Sequence, residues 1–353
     1  MFKQMLAVFI AVSGSSGLAM AQTTEPAAPQ PKCAAPALAD MVDLDPVMGS
    51  NLMTVPVAIN GSSRKFLLHV GRTPDEVSDA TASDLHLPQA ARITDSGGLT
   101  GLNTPYDFRA TMVDVRGANA GAANQKHVRA TDFTIGTATV HDVTFLVAND
   151  RDLGTSKPYD GLLTTGMFSA YDINLDFGGR KFSFITATGC ADPNQVAYWP
   201  HEVVATIPIT VEDGKITVPV TVQGRQIDAV IDTGSEHTVM RRAVAEQMFG
   251  LKAGTPEMTQ DGDARDGSGE RIYQHTFAQI AFGGVIANNV PARIQANSMV
   301  RKKDKEPTLG SRAQFTSTPS ERLPDLALGM DVLRRLHLYV AFGQSKLYVT
   351  PAQ

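Results

Sequence analysis

The stretch Ala229-Val230-Ile231-Asp232-Thr233-Gly234-Ser235 decides how this chain is interpreted. Its first three residues are apolar and typical of a buried strand, and an acid, a hydroxyl and a glycine follow where that strand ends. An acid in this place is held by rigid backbone beside the core. The run from Met240 to Met248 then predicts a turn into a short helix. Asp232 is therefore the first candidate for a catalytic carboxylate.

Length and composition indicate a globular protein of two domains. The chain has 353 residues, of which 42% are hydrophobic and 19% charged. Its formal net charge of −5 gives no electrostatic case for nucleic acid as a partner. The 30 glycines, the 20 prolines and the short apolar runs rich in Val and Ile favour β-structure.

The first 21 residues predict a cleaved signal peptide. Lys3 supplies a positive charge, Met5 to Val12 is a short apolar run, and Ala19-Met20-Ala21 fits a cleavage site. A membrane anchor is the alternative, but this run is too short to cross a bilayer. The sequence therefore predicts a periplasmic or secreted protein with no membrane span in the mature chain.

Two segments are predicted to be linkers. Residues 22–49 begin with a tract rich in Ala, Pro and Thr and are expected to be flexible, without a core of their own. Residues 188–203 are expected to join two lobes. Cys33 and Cys190 could form a disulfide in an oxidising compartment, and two unpaired thiols are the alternative.

An internal repeat divides the remainder of the chain. The segment Thr54–Gly61 is similar to Thr217–Gly224, which follows 163 residues later. Four further blocks match in the same order, with small changes of spacing where insertions fall. Agreement in order and spacing indicates a duplication, with units at residues 50–187 and 204–353.

The second unit resembles the retropepsin-like aspartic proteases. The resemblance rests on Val230–Ser235 and on Leu326–Leu333, where an apolar strand and a glycine pass behind the active-site loop. It implies an all-β fold of two tandem closed lobes, the acid protease fold, which face each other across a cleft. It also implies a polypeptide substrate and the use of no metal or other cofactor. Within the loop, Thr233, Gly234 and Ser235 would support Asp232.

The family closes its cleft with a hairpin flap, and each unit has a glycine-rich candidate for it. An ordinary hairpin loop is the alternative in both cases. The candidate segments are Asp261–Arg271, with Gly262, Gly267 and Gly269, and Asp95–Asn103, with Gly97 and Gly98.

The first unit lacks the expected second acid. The same spacing that aligns the repeats places His69 opposite Asp232, followed by Val70, Gly71 and Arg72. Of the Asp-Thr-Gly-Ser motif, only the glycine is kept in the first unit. Gly71 would support the loop there, and His69 is the candidate partner of Asp232. Two facing carboxylates would share a proton to activate water, and a histidine changes that chemistry.

Three hypotheses follow for this site. In the first, Asp232 activates water and His69 polarises the carbonyl group, as in histo-aspartic proteases. In the second, two chains form a homodimer and two copies of Asp232 make the pair. In the third, the protein is an inactive peptide-binding or scaffold protein on a protease fold.

Overall fold

The computed structural model describes residues 36–72, 74–90, 126–148, 158–168, 171–186, 192–212, 214–265, 270–295 and 324–352, and strands make up most of these residues. The helices within these ranges are short, and the longest covers Arg242–Phe249. The prediction of an all-β fold of the acid protease type is confirmed.

Seven strands form the sheet of the first lobe. They are β2 (Asp45–Pro46), β3 (Met53–Ile59), β4 (Ser62–His69), β5 (Glu76–Ser78), β6 (His127–Ile135), β7 (Ala138–Ala148) and β8 (Gly161–Thr164). Their order across the sheet is β2-β3-β4-β8-β5-β7-β6. Two short helices, α1 (Asp79–Asp84) and α2 (Thr165–Phe168), follow β5 and β8.

Eight strands form the sheet of the second lobe. They are β12 (Thr210–Glu212), β13 (Lys215–Val222), β14 (Arg225–Ile231), β15 (Thr238–Arg241), β16 (Thr259–Arg265), β17 (Arg271–Phe282), β18 (Val285–Gln295) and β19 (Leu326–Leu328). Their order is β12-β13-β14-β19-β15-β18-β17-β16. The helix α3 (Pro193–Val196) precedes this lobe, and α4 (Arg242–Phe249) and α5 (Met330–Leu333) belong to it.

Among the described residues, seven strands of each sheet follow one order, and the second sheet continues with β16. In each lobe the first long strand also pairs with a distant one, β3 with β6 and β13 with β17, which curls the sheet towards closure. In each lobe the strand before the candidate loop runs parallel to a strand behind it, β4 beside β8 and β14 beside β19. This shared topology places the two candidate loops in equivalent positions.

A third sheet is built from both halves of the chain. Its strands are β1 (Ala37–Asp43), β9 (Asp172–Asp176), β10 (Lys181–Thr186), β11 (Ala205–Pro208), β20 (Leu336–Ala341) and β21 (Lys346–Pro351). A 3-10 helix, Phe342–Gln344, joins the last two. The order β1-β10-β9-β20-β21-β11 shows that the closing hairpins of the lobes pair with each other.

The predicted linker at residues 22–49 is wrong for its described part. Strand β1 pairs with β10 at the edge of the shared sheet, and Val42, Leu44 and Val47 are buried. The carboxylate of Asp40 accepts hydrogen bonds from Thr137 N at 2.7 Å and Thr137 Oγ1 at 3.1 Å, tying β1 to the first lobe. These contacts are made with distant residues, which the local composition cannot reveal.

Alternating side chains build the cores of the lobes. Strand β13 buries every second residue of Lys215–Val222, as a strand with one face on a core does. In the first lobe, Phe66, Phe133 and Phe145 meet with ring centroids 5.2–5.8 Å apart. The segment between the lobes packs on the shared sheet, where the Trp199 ring stacks on His337 at 3.9 Å.

Several predictions lie outside the described residues. They concern the signal peptide at residues 1–21, the cysteines Cys33 and Cys190, and the flap glycines Gly97, Gly98, Gly267 and Gly269. Among the described residues, no helix is long and apolar enough to cross a membrane.

Candidate active site

Two strand ends bring His69 and Asp232 together. Strand β4 ends at His69, and β14 ends at Ile231, directly before Asp232. The Nε2 atom of His69 lies 3.0 Å from the Oδ1 atom of Asp232, and the two side chains are 15% and 27% exposed. The pair is thus held by both lobes and is still reached by solvent.

Thr233 fastens the two loops to each other. Its hydroxyl donates to the carbonyl oxygen of Leu68 at 2.7 Å and accepts from the backbone N–H of Val70 at 2.8 Å. Its own N–H donates to the carbonyl oxygen of Val70 at 3.2 Å. Because Thr233 is buried, these bonds are shielded from competing water. Val70, the equivalent residue of the first lobe, has no hydroxyl with which to make the corresponding bonds to the second loop.

Gly71 and Gly234 allow the loops to touch. A β-carbon on Gly71, which has a φ of +111°, would lie 2.0 Å from the carbonyl oxygen of Ile231. A β-carbon on Gly234 would lie 2.4 Å from atoms of the His69 imidazole ring. The first glycine therefore permits backbone contact between the lobes, and the second makes room for the histidine itself.

The Asp232 carboxylate is anchored through one oxygen. Oδ1 accepts from the backbone N–H of Gly234 at 3.1 Å and faces His69 Nε2. Among the described residues, Oδ2 has no hydrogen-bond partner, so this oxygen is the one placed to take a proton from water.

The other ring nitrogen of His69 is buried. Nδ1 makes no hydrogen bond with any residue in the described ranges. A proton on that atom would lose its water partners without replacement, which costs free energy. The arrangement therefore favours a ring that carries its proton on Nε2 and donates it to Asp232.

A comparison with protein families identifies the second lobe. Residues 218–332 match the model of the aspartyl protease family, a stretch that includes Asp232 and the strand behind it and no residue of the first lobe. The second lobe is therefore similar to the aspartyl proteases. No curated protein matches the chain.

Solved structures include two that are similar to this chain. A retropepsin-like aspartic protease from Rickettsia conorii shares 17% identity, with a TM-score of 0.28, over 43% of this chain and 94% of its own. Conglutin gamma, a basic 7S globulin from lupine seeds, shares 11% identity, with a TM-score of 0.43, over 89% of this chain and 95% of its own.

Behind the aspartyl protease loop, Ser235 and Asp331 brace the backbone. Ser235 Oγ donates to the carbonyl oxygen of His237 at 3.1 Å, and Met330 N donates to the carbonyl oxygen of Ser235 at 2.8 Å. The Asp331 carboxylate accepts from the N–H and the hydroxyl of Thr238 at 2.6–3.0 Å. Asp331 thus has a structural role here.

The first lobe braces its loop differently. Gly71 N donates to Thr165 Oγ1 at 2.9 Å, and Arg72 forms an ion pair with Glu76. The Arg72 side chain is 37% exposed, whereas that of Glu76 is 4% exposed. A buried carboxylate requires such a partner, so the pair fixes the guanidinium beside the loop.

Asp75 is a second acid in this region. Its Oδ1 atom accepts from Thr164 N at 2.7 Å and from the Thr164 hydroxyl at 3.0 Å. Desolvation raises the pKa of Asp75 to about 7, and the negative charge of Glu76 adds to this effect, while the bonds from Thr164 oppose it. This carboxyl group is therefore partly protonated near neutral pH.

Of the glycines predicted to lie in flaps, only Gly262 is among the residues that the structure describes. Gly262 lies in β16, with a φ of +54° and open space where a β-carbon would stand. Strand β16 pairs with β17 as a hairpin, and Asp261 Oδ2 lies 2.9 Å from Arg293 Nε. The hairpin is present, and its role as a flap stays a prediction.

Sequence reasoning missed Asp75, the Arg72–Glu76 pair and the orientation of the His69 ring. Spacing offered one signal, because an arginine and a glutamate four residues apart often form an ion pair. That rule applies to helices, and here the two residues stand at a loop and the start of a strand.

Proposed function

We propose that this protein is an exported aspartic-type endopeptidase whose catalytic pair is His69 and Asp232 of a single chain. The supporting observation is the 3.0 Å contact between His69 Nε2 and Asp232 Oδ1, at the meeting point of two equivalent loops. The aspartyl protease match over residues 218–332 supports a polypeptide as the substrate.

Asp232 acts as the base in this proposal. Its Oδ2 atom takes a proton from a water molecule as the water oxygen attacks the carbonyl carbon of the scissile peptide. A carbon–oxygen bond forms and the carbonyl becomes an oxyanion. The same proton then passes to the peptide nitrogen as the carbon–nitrogen bond breaks, which yields an acid and an amine.

His69 acts as the hydrogen-bond donor. In the resting site its Nε2–H is shared with Asp232 Oδ1, and in the transition state it turns towards the oxyanion. Gly234 N keeps Asp232 in place while this happens. A donor that is already fixed beside the reacting atoms needs little reorganisation.

The contacts of Thr233 favour a pair within one chain over a pair of Asp232 copies in a homodimer. To meet a second Asp232, the loop would have to leave Leu68 and Val70. Both bonds are buried, and breaking them would leave backbone groups of the first lobe without partners.

Export is the second component of the proposal. It is supported by the pattern of Lys3, Met5–Val12 and Ala19-Met20-Ala21, which is typical of a cleaved signal. N-terminal sequencing of protein recovered from a bacterial periplasm should give Gln22 as the first residue. Recovery of the uncleaved chain from the cytoplasm would contradict it.

A cleavage assay tests the catalytic proposal. An unstructured protein is incubated with the wild type and with the variants Asp232→Asn, His69→Ala and His69→Gln. We expect Asp232→Asn to lose activity by about 10³-fold or more and His69→Ala by about 10²-fold, with part of the loss restored by the donor in His69→Gln.

The same assay separates the alternatives. Full activity in His69→Ala would exclude the His69–Asp232 pair. A specific activity that rises with enzyme concentration would favour the homodimer. Binding of the unstructured protein without turnover would support an inactive peptide-binding or scaffold protein, the hypothesis motivated by the missing acid and hydroxyl at His69 and Val70.

A further inference from the structure

We propose that the Arg72–Glu76 pair makes the first-lobe side of the site select a substrate residue that bears a carboxylate. This inference rests on the proposed peptidase function and specifies the substrate class of the same site. It starts from the different side chains at equivalent positions of the two lobes.

Equivalence between the lobes defines those positions. Arg72 corresponds to Ser235, and Glu76 corresponds to Val239, with the spacing that also relates His69 to Asp232. Glu76 stands in β5 opposite Leu146 of β7, and Val239 stands in β15 opposite Arg293 of β18, in the same parallel pairing. One side of the site thus carries an ion pair where the other carries a hydroxyl and an apolar side chain.

Arg72 begins next to the catalytic pair. The preceding residue, Gly71, lies against the backbone of Asp232, since its β-carbon would be 3.4 Å from Asp232 Cα. The carbonyl oxygen of Arg72 is held by Thr165 N at 3.2 Å, which fixes the backbone from which the side chain leaves. The backbone of Arg72 is therefore fixed one residue beyond the glycine that meets the Asp232 loop.

The ion pair leaves Arg72 able to bind a ligand. Its Nη2 atom contacts Glu76 Oε1, and the side chain is 37% exposed. A guanidinium carries several N–H donors in a rigid plane, so one edge can hold Glu76 while another receives a second carboxylate. Because Glu76 restrains the side chain, binding costs less conformational entropy than at a flexible arginine.

The second lobe disfavours an acidic residue on its own side. Ser235 directs its hydroxyl to the carbonyl oxygen of His237, and Glu236 follows with a side chain that is 43% exposed. Glu236 Oε2 lies 3.9 Å from His237 Nε2, and its negative charge would repel a substrate carboxylate near it. The two sides together would fix the direction in which a peptide lies.

A variant that copies the second lobe provides the test. Arg72→Ser with Glu76→Val gives the first lobe the residues found at Ser235 and Val239, and removes both charges together. Arg129→Ser is the control, since Arg129 pairs with Asp142 at 2.7 Å on the exposed surface of β6 and β7. Matched peptides carry Glu, Gln or Lys at each position around one cleavage site.

We expect the wild type to show a kcat/KM about tenfold higher for Glu than for Gln at one position on one side of the cleavage site, and lower still for Lys. In the double variant this ratio should fall to about one, whereas Arg129→Ser should keep the wild-type ratio. An equal ratio in the wild type and the double variant, with cleavage intact, would overturn the inference alone.

Binding distinguishes this failure from failure of the proposed function. The labelled Glu and Gln peptides are titrated against Asp232→Asn, with and without the two first-lobe changes. If no protein cleaves any peptide but the Glu peptide binds tighter only when Arg72 and Glu76 are present, the peptidase proposal fails and the inference stands. If neither peptide binds preferentially, the inference fails.

Discussion

The loops at residues 66–72 and 229–235 stand at equivalent places in the two lobes but differ in their side chains and in the φ of their glycines, which is positive at Gly71 alone of the two. Each continues a strand that runs parallel to a second strand, and each places a glycine against the opposite loop. One presents Asp232 and Thr233, and the other presents His69 and Val70. Both loops therefore have the glycine that lets the lobes touch, whereas only the second loop has the acid and the hydroxyl.

The braces behind the loops differ in the same way. In the second lobe the acid Asp331 accepts from both the N–H and the hydroxyl of Thr238. In the first lobe the equivalent of Thr238 is the acid Asp75, which accepts from the N–H and the hydroxyl of Thr164. Each lobe therefore has a contact between an acid and a threonine here, but the two contacts come from different positions, so each lobe satisfies its buried backbone by its own route.

The largest expected effect comes from the glycines that the loops share. Gly71→Ala should destabilise the protein by about 5 kcal/mol, because its β-carbon would meet backbone at a φ that alanine rarely adopts. Gly234→Ala should cost less stability, since its β-carbon meets the His69 ring, which can move, but activity should fall about 10²-fold. Denaturant unfolding and kcat measure the two effects, and equal destabilisation by both changes would contradict this asymmetry.

The next effect concerns Asp75 and depends on pH. Its folded pKa of about 7 lies above the ordinary value of 3.8, so the folded state binds more protons between these values and loses stability as pH rises through that window. Asp75→Asn removes this loss, which amounts to at most about 4 kcal/mol above pH 7. The variant should therefore gain stability relative to the wild type as pH rises from 5 to 8.

Thermal unfolding of both proteins across that pH range measures the difference. Thr164→Val serves as the companion variant, because loss of the hydroxyl donor to Asp75 should raise the pKa of that carboxyl group further and extend the decline to higher pH. A difference between wild type and Asp75→Asn that does not change with pH would refute the interpretation of Asp75.

Local patterns in the sequence predict the elements that repeat. The alternation in β3 and β13, the glycine turns and the loop around Asp232 indicate two closed β lobes before any coordinates are known. The spacing also places His69 opposite Asp232. These features depend on residues close in sequence or on one fixed offset.

Contacts between distant segments escape such patterns. Strand β1 follows a tract rich in Ala and Pro, and it becomes a strand only because β10 provides an edge. The pairing of β9 with β20 joins the closing hairpins of the two lobes. The raised pKa of Asp75 likewise arises from burial, which depends on the whole fold.

Thr233 should show a smaller effect than Asp75. Thr233→Val removes the hydroxyl and leaves Leu68 O and Val70 N buried without that partner, at a cost of about 2 kcal/mol. Thr233→Ser keeps the hydroxyl and should cost well under half as much. Urea unfolding distinguishes the variants, and equal stability of Val and Ser at this position would show that the bonds contribute little.

The smallest effect should come from restoring symmetry at Val70. Equivalence with Thr233 places a threonine hydroxyl at residue 70 near the carbonyl oxygen of Ile231 and the N–H of Thr233. Val70→Thr should then stabilise the protein by at most about 1 kcal/mol, because a new bond to the carbonyl oxygen of Ile231 offsets the burial of a polar group, while the Thr233 N–H already donates to the carbonyl oxygen of residue 70. Urea unfolding measures this change. Destabilisation by about 1 kcal/mol or more would mean that the backbone at residue 70 does not place a hydroxyl as the backbone at Thr233 does. The first loop could then not regain this bond by a single substitution.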